Sequence, residues 1–297
     1  MFPNLKRKLS AIFLHENWMI GWIDAPIAAS LDWTTPPPIH WIAARSAKRY
    51  LADPFSWPGK PDTLYCEHYD FATRSGSIMQ LQNHDGQWYE SPVAIPLPGH
   101  LSYPFLFAHG SDTYCLPESA AAGKLALLRR DKSEWRHYAT PLPATAAADS
   151  TLFEHDGNFW IAYTNTALGA FDNLNLCYAS SLAGPWTQHP LNPVRRGLAS
   201  SRCGGTVFSA NGQLYRPAQD CTDGYGRSLR IMRIVECSPE TYREEETTHI
   251  TPAPGMNPHG LHTLSAWGDK CLIDGKRLSC SPSRVMGKAW RRIRRLL

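Results

Sequence analysis

Charge is scarce in this 297-residue sequence: only 19% of residues are Asp, Glu, Lys or Arg, which argues against a charge-rich solvated helix or a coiled coil. Long apolar runs are missing too. The longest near the N-terminus, residues 11–14, is broken at once by His15-Glu16-Asn17, so the basic Lys6-Arg7-Lys8 does not lead into a signal-peptide core. No run of about 20 apolar residues is present to span a bilayer. These absences predict a cytoplasmic protein whose eight cysteines are buried thiols in a reducing compartment. There is no Cys-x-x-Cys pair, so zinc has little support and neither metal nor cofactor is expected. The Gly-x-Ser-x-Gly elbow, the P-loop and Gly-x-Gly-x-x-Gly are also lacking, which removes the common nucleophile and phosphate-cradling motifs.

What the sequence does have is turn formers and aromatics. It holds 21 Gly, 24 Pro, 11 Trp, 12 Tyr and 10 Phe, a composition suited to short strands punctuated by turns. Five segments repeat a strand, polar turn, strand pattern, with turns at Pro58-Gly59, His109-Gly110, Asp156-Gly157, Asn211-Gly212 and Gly268-Asp269. Phe55, Phe105, Phe153, Phe208 and Ser265 mark a period of 48 to 57 residues. A lone hairpin cannot bury its apolar face, whereas four-stranded blades stacked in a ring can. The fold predicted is an all-β, five-bladed β-propeller over residues 38–280, in preference to a two-sheet sandwich, which would not require such a repeat. Residues 1–37 are expected to be an N-terminal extension. Ile39-His40-Trp41-Ile42 would complete the last blade.

Residues 281–297 form a basic tail. The last fourteen residues carry six basic and no acidic side chains, so a net charge of +4 leaves the remainder at −2. Met286, Ala289, Trp290, Ile293 and Leu297 recur at helical spacing among Lys and Arg. The pattern suits an interfacial helix on an anionic membrane surface, at the inner face of the cell membrane, or equally a solvated terminus without a partner. Nucleic acid is not expected, because the globular part has no basic stripe.

In a propeller the first strand of every blade lines the axis, so polar residues at its start converge. Asp53, His100, Tyr103, Asp149, Arg202 and His262 hold such positions, and Glu67, Glu118, Arg216, Gln219, Asp220 and Asp274 form a second tier at the ends of the following strands. Several carboxylates with Arg, His and aromatics in one concave site suit carbohydrate chemistry, in which one carboxyl serves as acid and another as base or nucleophile. Crowding pushes the carboxyl pKa values apart. Each residue also has a plainer reading: Asp53 and Asp149 as Asx turns, Glu67 and Glu118 as solvated strand ends, and the histidines as loop packing.

Leu51-Ala52-Asp53-Pro54-Phe55, Cys66-Glu67, His100-Leu101-Ser102-Tyr103-Pro104, Leu116-Pro117-Glu118 and Asp149-Ser150-Thr151-Leu152-Phe153 together resemble the N-terminal propeller domain of plant glucosamine inositolphosphorylceramide transferases. Gly184-Pro185-Trp186, His189-Pro190-Leu191-Asn192-Pro193 and Tyr215-Arg216-Pro217-Ala218-Gln219-Asp220 extend the resemblance across residues 41–277. Bacterial relatives of that domain occur in surface-polysaccharide settings. More distantly, the Asp53 context is similar to the first-blade Asp-Pro of five-bladed glycoside hydrolases of the family 43 and 32 type. That likeness implies a base or nucleophile role for Asp53 and an acid-tuning role for Asp149. Those hydrolases carry their acid Glu in a later blade, where residues 202–206 here offer no carboxylate, so the acid falls to Glu118 or else Glu67.

The expectation is therefore an enzyme transferring a glycosyl group from an activated sugar during surface-glycan or glycolipid assembly. Arg202, Arg216, Gln219, Asp220, His100, Tyr103 and His262 would position the substrate. The alternatives are a non-catalytic glycan-binding propeller that recruits a glycosyltransferase partner, and a cytosolic glycoside hydrolase.

Overall fold

The computed structural model describes residues 14–42, 46 and 48–280. The basic tail expected to act as an anchor lies outside the described residues. Within them the chain forms five antiparallel sheets, each with an innermost strand followed outward by three more, the third sheet having its outer edge split into two short strands, Thr187–Gln188 and Arg195–Arg196. The innermost strands are Arg49–Trp57, Ser102–His109, Ala147–His155, the short Phe208–Ala210 and Leu264–Trp267. These are the five repeats, and the fold is a five-bladed β-propeller. The third strands of the first four blades are Ser75–His84, Leu125–Asp131, Asn173–Ala179 and Ser228–Cys237.

The fifth blade closes the ring with both ends of the described chain. Its order from the axis outward is Leu264–Trp267, Lys270–Cys280, Leu14–Ile23 and His40–Ile42. His40–Ile42 is thus the closing edge strand that the sequence predicts. Of the expected N-terminal extension, residues 14–37 are more than that: they supply a ten-residue strand paired in register from Leu14↔Cys280 to Ile23↔Cys271. Trp18 and Ile20 from this strand are fully buried, so removing it would open the last seam.

The blades pack through apolar faces. Phe55, Tyr103, Phe105, Leu116, Leu152 and Ile161 join the first three blades, and Leu229, Ile231, Leu264 and Ile273 join the last two. The seven cysteines from Cys66 to Cys271 are buried and free, in keeping with thiols that contribute apolar volume.

Candidate active site

Three quasi-equivalent bulges build the site. Pairing between the first and second strands slips between Ala52 and Phe55, between Ser102 and Phe105, and between Ala148 and Thr151. The residue at each slip adopts positive φ: Asp53 at 52°, Tyr103 at 43° and Asp149 at 47°. A bulge re-aims the side chain it carries, and left-handed backbone at a non-glycine residue is uncommon enough to mark a functional position. The fourth blade has Gly205 near this level, at φ 131°, bridging Leu264 in parallel. A Cβ there would lie 1.8 Å from the Leu264 carbonyl oxygen, so only glycine permits this approach. The Tyr103 hydroxyl ties the axis together: it pairs with Thr151 Oγ1 at 2.8 Å and accepts the Gly205 N–H at 2.7 Å.

Asp53 and Asp149 are both turned inward, 4% and 2% exposed. Asp53 Oδ1 accepts the Thr263 hydroxyl at 2.7 Å and lies 3.5 Å from His262 Nε2, and Oδ2 accepts the Tyr103 N–H at 3.3 Å. The other ring nitrogen of His262 meets Asp274 Oδ2 at 2.5 Å. Asp274 also accepts the backbone N–H groups of Asp53, His262 and Thr263. Trp18 stacks on the His262 ring at 3.9 Å between centroids, and Tyr225 meets the same ring edge-on.

Asp149 anchors the second half of the cluster. Arg202 Nε and Gln219 Nε2 both donate to its Oδ2, while its own N–H donates to Glu118 Oε2 at 3.1 Å. Arg202 Nη2 lies 3.8 Å from that same Glu118 oxygen. The guanidinium lies against the neighbouring rings of Phe171 and Tyr225, 5.3 and 5.1 Å from their centroids, which are themselves 5.5 Å apart. Glu67 is buried beside the partly exposed His100, with 3.5 Å between Oε1 and Nε2. Gly76 makes room for this pair, because a Cβ there would fall 2.4 Å from Glu67 Oε1.

The environments separate the protonation states. Burial raises Asp53 to about 6; His262 opposes the shift, and Asp149 and Asp274 add to it. Burial and the neighbouring Asp149 charge push Glu118 well above the carboxylate range, and burial with Asp53 nearby does the same to Glu67. Asp149 is buried as well, yet Arg202 and the hydrogen bonds around it bring its pKa below the usual value. Burial opposes charge on His262, but Asp274 and Asp53 prevail and raise it. The arrangement places protonated carboxyls next to an ionised one, the condition for acid and base to coexist. Asp53, His262 and Asp274 also present ligand-type atoms within 4.8 Å of one another, a spacing that could hold a cation.

Seven further residues were expected to bind substrate. Arg202, Gln219, His262 and Tyr103 join the cluster, although Tyr103 is fully buried and acts as an axial tie. His100 lies at its margin. Arg216 and Asp220 do not join it. Arg216 is fully buried, its Nε and Nη2 2.9 and 2.6 Å from the two Glu244 oxygens, with Nη2 also donating to the Ser200 carbonyl. It lies three residues before Gln219, roughly 10 Å further down the strand. Asp220 caps a turn through the Thr222 N–H and pairs with Arg230. The aromatic cover of Trp18, Phe171 and Tyr225 escapes sequence reading, since these residues come from outside the repeated first strands.

Comparison with known proteins places this geometry. An α-L-arabinofuranosidase of Podospora anserina superposes with a TM-score of 0.59 at 11% identity, over 83% of this chain and 87% of that one. A family 117 glycoside hydrolase of Zobellia galactanivorans gives 0.53 at 15% identity, over 87% and 80%. These likenesses concern the fold. In sequence, the chain is 36% identical over 251 residues to glucosamine inositolphosphorylceramide transferase 1 of Arabidopsis thaliana, covering 77% of this chain and 32% of that protein. It thus spans about a third of that relative's length. Residues 31–257 match the family described as glucosamine inositolphosphorylceramide transferase 1, N-terminal, and the chain, a five-bladed propeller, belongs to that family.

Proposed function

We propose that the propeller catalyses glycosyl transfer from an activated sugar in surface-glycan or glycolipid assembly. The observation that carries this reading is the buried carboxyl cluster in which Asp53, Glu118 and Glu67 are raised while Asp149 is lowered. Asp53, with a pKa near 6, is ionised at neutral pH yet close enough to it to accept a proton from an acceptor hydroxyl. That oxygen forms the new bond to the anomeric carbon as the bond to the leaving group breaks. Glu118 gives its proton to the departing oxygen, and Arg202, 3.8 Å away, offsets the charge left behind. Asp149 keeps Glu118 protonated until then. Glu67 is the second candidate acid, nearer the more open margin at His100.

A second reading is favoured by the near-complete burial of Asp53 and Asp149 and by the protein groups that already occupy their oxygens. On that reading the propeller binds a glycan and serves a glycosyltransferase partner without turning anything over.

One experiment tests both. The purified protein is incubated with radiolabelled nucleotide sugars and with glycan or glycolipid acceptors, and product is counted for wild type, Asp53→Asn and Glu118→Gln. The catalytic reading expects turnover by wild type and losses on the order of 10²–10⁴-fold in the variants, with sugar binding kept. Equal absence of product from all three, with binding intact, selects the recruiting module.

A further inference from the structure

The inner strands end, at their far side from Asp53, in the hairpin turns of the first and fifth blades, and between these turns lies a groove of about 610 Å³. That volume is within the ~300–1,000 Å³ typical of small-molecule sites. Its floor is a triangle of tryptophans: Trp22 to Trp88 at 6.1 Å, Trp22 to Trp267 at 6.2 Å and Trp88 to Trp267 at 6.4 Å between centroids. All three are half-buried. The next seam, between the first and second blades, is finished differently. There Trp57 and Trp135 are buried, with Val93, Ile95 and Leu97 packed against their cluster. Three adjoining tryptophans left partly in water are a cost that a bound partner removes.

The rim identifies the partner's chemistry. Lys60 and Lys270 stand against Asp62 and Asp269, so the lining carries no net charge and selects neither an anion nor a cation. Lys270 is held by Asp24 at 2.8 Å and lies 5.7 Å from the Trp267 ring centre, and Lys60 lies 4.9 Å from that of Trp57. Trp267 is fixed by its indole N–H donating to the Pro61 carbonyl at 2.9 Å, and Trp22 by stacking on His40. The groove therefore offers rigid aromatic faces ringed by donors and acceptors of both signs. A matching ligand is uncharged, has a flat C–H face and carries hydroxyls around its edge. We propose that this groove is a glycan-binding site for a short neutral oligosaccharide, separate from the carboxyl cluster at the other end of the inner strands.

The test is calorimetric titration of the full chain with xylotriose, cellotriose and β-1,3-galactotriose, using trigalacturonate as the charged comparator, alongside tryptophan emission. At least one neutral trisaccharide is expected to bind and shift the emission. Trp88→Ala should weaken it at least ~10-fold with the melting temperature little changed, because Trp88 sits on the outermost strand. Asp62→Ala, at an exposed rim position, should weaken it several-fold and decides the matter if Trp88→Ala does not fold. Asp53→Asn should leave binding unchanged, which separates this groove from the carboxyl cluster whatever the outcome of the transfer assay. The proposal is overturned if no neutral trisaccharide binds up to ~10 mM, if trigalacturonate binds most tightly, or if binding is lost in Asp53→Asn and survives in Trp88→Ala and Asp62→Ala.

Discussion

Two buried arginine and carboxylate clusters, drawn from neighbouring stretches of the chain, show opposite charge arithmetic. Around the axis, Arg202 and His262 face Asp53, Glu67, Glu118, Asp149 and Asp274. Within the fourth blade Glu244 is matched by Arg216, with Arg195 at 3.6 Å and the Tyr242 hydroxyl donating at 2.8 Å. In the blade cluster the buried charges, Arg216 and Glu244, match one for one, with the partly exposed Arg195 reaching in from the side. The axial one has more carboxyls than cations, so some must keep their protons, and stored protons are what acid–base chemistry needs. Burial alone does not distinguish a site from a staple; surplus charge of one sign does.

The sharpest way to break the comparison is to unbalance the balanced cluster. Arg216→Ala leaves Glu244 buried without its partner, and a loss of ~3–5 kcal/mol is expected in urea denaturation. The paired change Arg216→Met with Glu244→Leu should cost far less than the single one. A single variant within a few tenths of wild type would disprove the balanced-staple reading.

The next effect is a pH dependence that the axial surplus alone produces. Folding raises the Asp53 pKa from 3.8 to about 6, so the folded state holds that proton more tightly. The stability this contributes is full below 3.8 and is lost as pH climbs through about 6. The raised His262 adds to the loss over its own titration. Wild type should lose stability between about pH 4 and pH 7, and Asp53→Asn should flatten that slope in denaturation midpoints measured across the range. An unchanged slope would mean that Asp53 is not raised.

The smallest effect concerns Glu118. Because its carboxyl is already protonated, Glu118→Gln replaces one neutral hydrogen-bonding group by another, and a stability change under ~1 kcal/mol is expected. A much larger thermal shift would show that the glutamate is ionised and paired with Arg202 as a second staple.

The repeat was the most legible feature of the sequence, because Gly-bearing turns and strand-start aromatics recur wherever a blade must reverse and pack. It also located Asp53, Tyr103 and Asp149, since equivalent bulges occupy equivalent places. The strand Leu14–Ile23 was hidden: His15-Glu16-Asn17 reads as an interruption, yet the structure pairs these residues across the closing blade. Arg216 misled because a polar segment in blade register shows that something is satisfied without showing by whom. Its partner Glu244 lies two strands outward, beyond any local pattern.

The pairing of Leu14 with Cys280 has a consequence for how the molecule is made. The strand that locks the circle, Leu14–Ile23, leaves the ribosome before the first four blades, but the edge that receives it, Lys270–Cys280, emerges only after them. Until both are available, the first and fourth blades each expose a flank with nothing beside it, so the nascent protein is most open to aggregation just before synthesis of this region finishes.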